Sequence, residues 1–191
     1  MILPSAYLPP ISWFAHLLTG EPIFIEQHEN YQKQTFRNRC TIDSPNGPLN
    51  LSIPIDRSTF VAGKCIMKDI RISTHTDWQR QHWYALETSY FNSPFFEYLQ
   101  DDFRPLYERP WTFLTDFNEA LIQKCCETLD IQPNISQTKT YMGLTSYDTN
   151  FRPTPYYQVF QQKHGFLPDL SIIDLIFNMG KESVFTLQEQ A

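Results

Sequence analysis

Two arginines flank one asparagine at Arg37-Asn38-Arg39, and the spacing carries chemistry if that segment is extended. In a strand, alternate side chains face opposite ways, so Arg37 and Arg39 share one face and Asn38 takes the other. Two guanidinium forks on one face hold a phosphate or carboxylate bidentately, a geometry that a lysine ammonium does not match. The same alternation also describes a solvated strand face or a cross-strand ion pair. Tyr31 and Lys33 lie on the preceding turn and join either arrangement.

A second chemical group is His82, one helical turn after Trp78 in the series Trp78, His82, Leu86, Tyr90. Imidazole titrates near neutral pH and acts as a general acid or base once a partner sets its tautomer. On an apolar stripe the same residue is also the usual form of a hydrogen-bonded core histidine. His75 and His28-Glu29 lack the spacing of a metal site, so no metal and no cofactor are expected. Neither a nucleophile elbow nor a glycine-rich phosphate loop occurs, and six glycines leave little material for one. Ser5 reads as a turn cap, and Cys65 has no basic neighbours in sequence beyond Lys64 and Lys68. Asp174 follows Ser171 at the head of an apolar helix, where its carboxylate complements the positive end of the helix dipole; both read as structural. Asp148, Arg152, Tyr156 and Gln158 fall in a long aromatic loop, the kind of segment that carries binding groups over a rigid scaffold.

These residues need elements to position them. Residues 2–7 read as extended and 11–18 as a short helix ended by Gly20. Strands are expected over 23–26, 35–42, 49–55 and 66–72, with Pro45-Asn46-Gly47-Pro48 as a hairpin turn. Thr76 and Gln79 fit a capping box heading a helix over 77–91. Ser93-Pro94 starts a second helix that Pro105 interrupts, and Asp116 with Glu119 opens a third that ends before Pro133. Residues 136–168 should be loop with a short strand at 139–142, and 171–179 a buried helix ended by Gly180. Strands first and helices afterwards give an α+β class, a mixed sheet from the N-terminal strands packed against several helices in one compact domain over 1–191.

Composition narrows the function. A chain of 191 residues with 41% hydrophobic and 19% charged residues folds around a sizeable core, and 15% aromatic residues leave rings to line a ligand surface. A net charge of -6 lacks the electrostatic footprint of a nucleic-acid binder, so any anionic ligand must be held by a local cluster. No run approaches the roughly 18 apolar residues of a membrane span, and no secretory pattern opens the chain, so a cytoplasmic protein is expected. Cys40, Cys65, Cys125 and Cys126 then read as buried thiols.

Tyr7-Leu8-Pro9, Tyr31-x-Lys33 followed by Arg37-Asn38-Arg39, Leu51-x-x-Pro54, Trp78-x-x-x-His82 with Tyr90, and Leu170-Ser171-Ile172-x-Asp174-Leu175-x-x-Asn178-x-Gly180 occur in an order that resembles the WbqC-like family. The resemblance implies a transferase of surface-polysaccharide (O-antigen type) biosynthesis, passing an aminoacyl group such as glycyl, or another acyl group, to an amino sugar. Its partners would be an activated acyl or aminoacyl donor and a sugar acceptor. Under that scheme His82 is the base for the ammonium proton, and Arg37 and Arg39 hold a phosphate of the donor. Tyr7 or Asn38 donates to the developing oxyanion, while Tyr31, Lys33, Tyr156 and Gln158 contact substrate. The competing expectation is a non-catalytic module that recognises a glycan or a partner through an aromatic-rich surface. Convergence of His82 with the arginine face in one pocket would favour the enzyme.

Overall fold

The computed structural model describes residues 1–145 and 154–189. It begins with strand β1 (Ile2–Pro4), helix α1 (Ile11–Ala15) and strand β2 (Ile23–Glu26), a parallel pair joined by a helical crossover. Strand β7 (Ile135–Gln137) joins the other edge of β2, also parallel, to give the order β1-β2-β7. Between β2 and β7 the chain makes two antiparallel ribbons: β3 (Arg39–Ser44) with β4 (Gly47–Ser52), and β5 (Ile55–Asp56) with β6 (Arg71–Ile72). Three helices follow them, α2 (Trp78–Tyr90), α3 (Phe96–Glu108) and α4 (Leu114–Leu129). After β7 come α5 (Gln161–His164), α6 (Ile172–Met179) and α7 (Ser183–Gln188). With about 41% helix and 18% strand, the expected α+β class holds.

The hairpin turn falls where the prolines and glycine place it. Ser44 pairs with Gly47, the Ser44 hydroxyl donates to the Gly47 carbonyl (2.6 Å), and Gly47 takes a φ of 103°, which its missing Cβ permits. Other boundaries moved. The strand expected from residue 35 begins at Arg39, because residues 33–38 form turns in which Gln34 has a φ of 59° and the Asn38 N–H closes back on the Thr35 carbonyl. The strand expected over 66–72 shrinks to Arg71–Ile72, preceded by a 3-10 turn at Met67–Asp69. No capping box forms at α2: the Gln79 side chain donates to the Arg109 carbonyl (2.7 Å) instead of returning to the helix start. Pro105 lies inside α3, where burial of Leu106 and Tyr107 carries the helix through another turn.

The strand expected at 139–142 is displaced to Ile135–Gln137, and a buried carboxylate explains how the following segment is held. Glu26, at the end of β2, accepts from the His28 N–H (2.7 Å), the Thr138 hydroxyl (2.9 Å) and the Met142 N–H (2.8 Å). Burial by itself would raise its pKa, yet these donors hold it below the ordinary carboxylate range.

The two ends of the chain are tied together. The Ser171 N–H donates to Thr41, Ile11 N–H to Leu170 and Ile172 N–H to Pro9, while the Ser171 hydroxyl donates to the Leu8 carbonyl (2.8 Å). Ser171 also caps α6 by accepting from the Ile173 N–H. The aromatic content is spent largely on the core, around two rings. Phe117 touches Tyr7, Trp78, Tyr107 and Trp111, and Phe177 touches Tyr90, Phe96 and Phe103, at centroid separations in the favourable range for aromatic pairs. All four cysteines are buried free thiols.

Gly180 ends α6 at a φ of 57°, and a Cβ there would stand 2.7 Å from the Phe95 ring. Gly180→Ala should therefore lose about 2 kcal/mol or more of unfolding free energy, from left-handed strain plus overpacking. Gly20→Ala, at a φ of 77° with open space around it, should lose only the backbone component, about 1 kcal/mol. Urea denaturation midpoints of the two variants make the comparison.

Candidate functional site

The alternation along β3 builds one wall. Cys40 and Ile42 point into the core, whereas Arg39 and Thr41 point outward beside their β4 partners Ser52 and Asn50. Arg39 Nε donates to the Ser52 hydroxyl (2.9 Å) and the Thr41 hydroxyl donates to Asn50 (2.8 Å). This polar face opens on a recess of about 500 Å³, lined also by Gln34, Thr35, Cys40 and Asp169. Asp169 accepts from the Ser12 N–H (2.8 Å) and hydroxyl (2.9 Å), and burial raises its carboxyl pKa.

Arg37 does not share this face. It lies in the turn before β3, is buried, and grips Glu29 bidentately through Nε (2.8 Å) and Nη2 (2.7 Å), with Nη1 on the Thr35 hydroxyl. The extended reading of residues 37–39 is thus corrected: a guanidinium this far from water needs its own carboxylate, and Glu29 supplies it. Asn38 is buried too, with its Nδ2 on the Ile53 carbonyl (2.9 Å) and no partner for Oδ1 among the described residues. Tyr31 is half-buried against Phe60; burial raises its phenol pKa, while the nearby guanidiniums of Arg57, Arg37 and Arg39 act in the opposite direction. Lys33 is exposed on the same turn. Among the described residues neither Arg39 nor Arg57 forms an ion pair, so both guanidiniums stay available near Tyr31 on a chain of net charge -6.

His82 and Tyr7 meet, but inside the protein. The Tyr7 hydroxyl lies 2.9 Å from His82 Nδ1 and 3.0 Å from the Tyr107 hydroxyl, all three residues being buried. The Ser52 backbone favours the charged imidazole and so acts against burial, but burial is the larger effect. Burial pushes the His82 pKa down to about 4. Tyr7, His82 and Tyr107 do not line the recess, whereas Cys40 does, so the relay lies inside the protein and does not open into it.

Tyr156 and Gln158 are likewise turned inward. Asp174, fully buried on α6, accepts from the hydroxyls of Tyr90 and Tyr156, each at 2.7 Å, and burial lifts its carboxyl to about 6. Gln158 clamps the backbone of Leu167 through both its N–H and its carbonyl. Asp148 and Arg152 lie outside the described residues.

Asp169 and Arg57 were not singled out by the sequence. Asp169 sits between Pro168 and Leu170 and Arg57 between Asp56 and Ser58, and only the fold brings them near Arg39 and Tyr31. The fold and the recess define an α+β protein with a small parallel sheet and a polar surface site beside a β-ribbon. The chain belongs to the WbqC-like protein family, whose model matches residues 5–152. It is also 26% identical to an uncharacterised protein of Mycobacterium tuberculosis, over an alignment of 222 positions that covers 95% of this chain and 94% of the relative. No solved structure matches the chain significantly. Among the described residues, no helix is long and apolar enough to cross a membrane.

The two buried titrating groups give opposite pH dependences. Asp174 is raised from 3.8 to about 6, so its contribution to stability is full below pH 4 and is lost as pH rises through 6. His82 is lowered from 6.5 to about 4, so its contribution is full above pH 6.5 and is lost as pH falls to 4. Each displacement corresponds to about 3 kcal/mol, and the two largely cancel between pH 4 and 6. Asp174→Asn should leave a protein whose stability rises with pH across that window, and His82→Gln one whose stability falls. Urea denaturation of both variants at pH 4.5 and 6.5 reads the slopes against a common background from Asp43, whose buried carboxyl is also raised.

Proposed function

We propose that this protein is a transferase of surface-polysaccharide (O-antigen type) biosynthesis, and that the recess beside β3 holds an anionic, activated acyl or aminoacyl donor. The observation that carries the reading is that Arg39 and Asp169 line one recess. Arg39 uses Nε on Ser52 and keeps its terminal nitrogens for a phosphate or carboxylate, with Arg57 and Tyr31 close by. Asp169 retains lone pairs beyond its two bonds from Ser12, and its raised pKa makes it a better proton acceptor than an ordinary surface aspartate.

In this reading the amine of an amino sugar attacks the acyl carbon. The new C–N bond forms as the bond to the activating group breaks, the leaving group departs as an anion on the arginine side, and the amine proton passes to Asp169. His82 and Tyr7 act as positioning residues: a neutral imidazole with a pKa near 4 is a poor base, but it fixes the phenol that backs Cys40. Arg37 supports the turn that presents Tyr31 and Arg39, and does so through Glu29.

The alternative of a non-catalytic binder keeps the same recess and loses only the step at Asp169. A thermal-shift panel of nucleotide sugars and acyl-thioesters should contain an anionic donor that raises the melting temperature of the native protein. Arg39→Ala should remove that shift, weakening binding about tenfold or more, while leaving the unliganded melting temperature unchanged. Asp169→Asn should retain the shift and lose product formation with an amino-sugar acceptor. Full turnover in Asp169→Asn would move the proton-accepting role elsewhere, and ligand binding without turnover in the parent protein would favour the binder.

A further inference from the structure

A second cavity lies between α4 and the three-stranded parallel sheet, running from Pro133 and Ile135 at the start of β7 to Ser5 and Gln27 just past the carboxyl ends of β1 and β2. Ser5 follows β1, Gln27 follows β2 and Gln137 ends β7, while α4 closes the opposite wall. The helix presents Thr115, Glu119, Ile122 and Cys126, spaced three and four residues apart and therefore on one face. The cavity measures about 220 Å³, below the range of sites for drug-sized ligands. It shares no lining residue with the recess at Arg39.

Its chemistry is specific. The floor is aliphatic, from Ile25, Ile122, Ile135 and Pro133, and no aromatic ring among the described residues lines it, so it suits an alkyl chain better than a stacked sugar. Among the described residues Glu119 is the one charged side chain of the lining. Its Oε2 accepts from Gln137 Nε2 (2.6 Å), which orients the carboxylate and leaves Oε1 for a ligand. At the inner end the Ser5 hydroxyl, almost completely buried, accepts from Asn118 Nδ2 (3.0 Å). Asn118 is itself fixed by a second bond to the Arg37 carbonyl (2.9 Å), which makes this polar end rigid.

We infer that this cavity is a binding site for a small primary alkylammonium ligand, its chain on the isoleucine floor and its charge against Glu119. The test is a titration of the full-length, isotope-labelled protein with n-pentylamine, n-pentanol and n-pentanoate at neutral pH, followed by amide chemical shifts. Pentylamine should give saturable shifts centred on residues 115–126 and 135–137, binding about fivefold tighter than pentanol, with pentanoate weaker than both. Glu119→Gln should bring amine and alcohol to equal affinity, and Glu119→Lys should reverse the order in favour of pentanoate. Glu119 is exposed, so neither substitution threatens the fold. Arg39→Ala should leave the pentylamine titration unchanged, which separates this site from the recess. Equal affinity for the three probes, shifts that map away from α4 and β7, or no saturable binding of pentylamine would each overturn the inference.

Discussion

The buried carboxylate of Asp174 holds three distant parts of the chain in one place. Tyr90 from α2 and Tyr156 from the segment before α5 both donate to it, and Asn178 one turn along α6 adds a bond to the same carboxylate. A charge without water must be met by donors, and two phenols at 2.7 Å are strong ones. The consequence is geometric: α6 cannot shift against α2 without stranding the carboxylate. The cap of the same helix, Ser171, is bonded to Thr41 and Leu8, so the position of β3 and of the opening Tyr-Leu-Pro segment follows from it. Asp43, buried close enough to raise the Asp174 pKa further, has no hydrogen-bond partner among the described residues for either oxygen.

A second constraint shapes the recess. Arg37 and Glu29 form a bidentate pair away from water, an arrangement whose desolvation cost offsets much of its Coulombic gain. What the pair secures is conformation. It pins the turn at residues 33–38, and that turn delivers Tyr31 to one side and Arg39 to the recess. The buried Arg37 carbonyl, held by Asn118, carries the same rigidity to Ser5 at the edge of the other cavity. One polar spine therefore runs between two cavities of different chemistry, cationic with a carboxylate opposite on one side, aliphatic with a lone carboxylate on the other.

Much of this organisation was legible along the chain. Apolar spacing marks α2, α4 and α6 to within a few residues, the Pro-Asn-Gly-Pro turn places the β3–β4 hairpin, and Ser171 with Gly180 brackets α6, because these signals act between near neighbours. Family membership was legible for the same reason, being carried by local motifs. The errors came where a local signal met a distant partner. The Arg37-Asn38-Arg39 alternation reads as a strand until Glu29 draws Arg37 inward, and the capping pattern at Thr76 yields to a bond between Gln79 and Arg109.

The sequence by itself determined the α+β class, the main helices, and the presence of unusual polar residues in an otherwise ordinary core. Tertiary structure alone decided which of them face a ligand. His82, Tyr7, Tyr156 and Gln158 look chemically equipped in sequence, yet burial obliges each to satisfy its polar atoms internally. Arg57 and Asp169 carry no local mark, Ser5 and Glu119 are marked only as a turn cap and a helix start, and all four acquire a setting only when segments far apart in the chain close around two cavities. Desolvation depends on what surrounds a group in space, and no spacing along the chain encodes that.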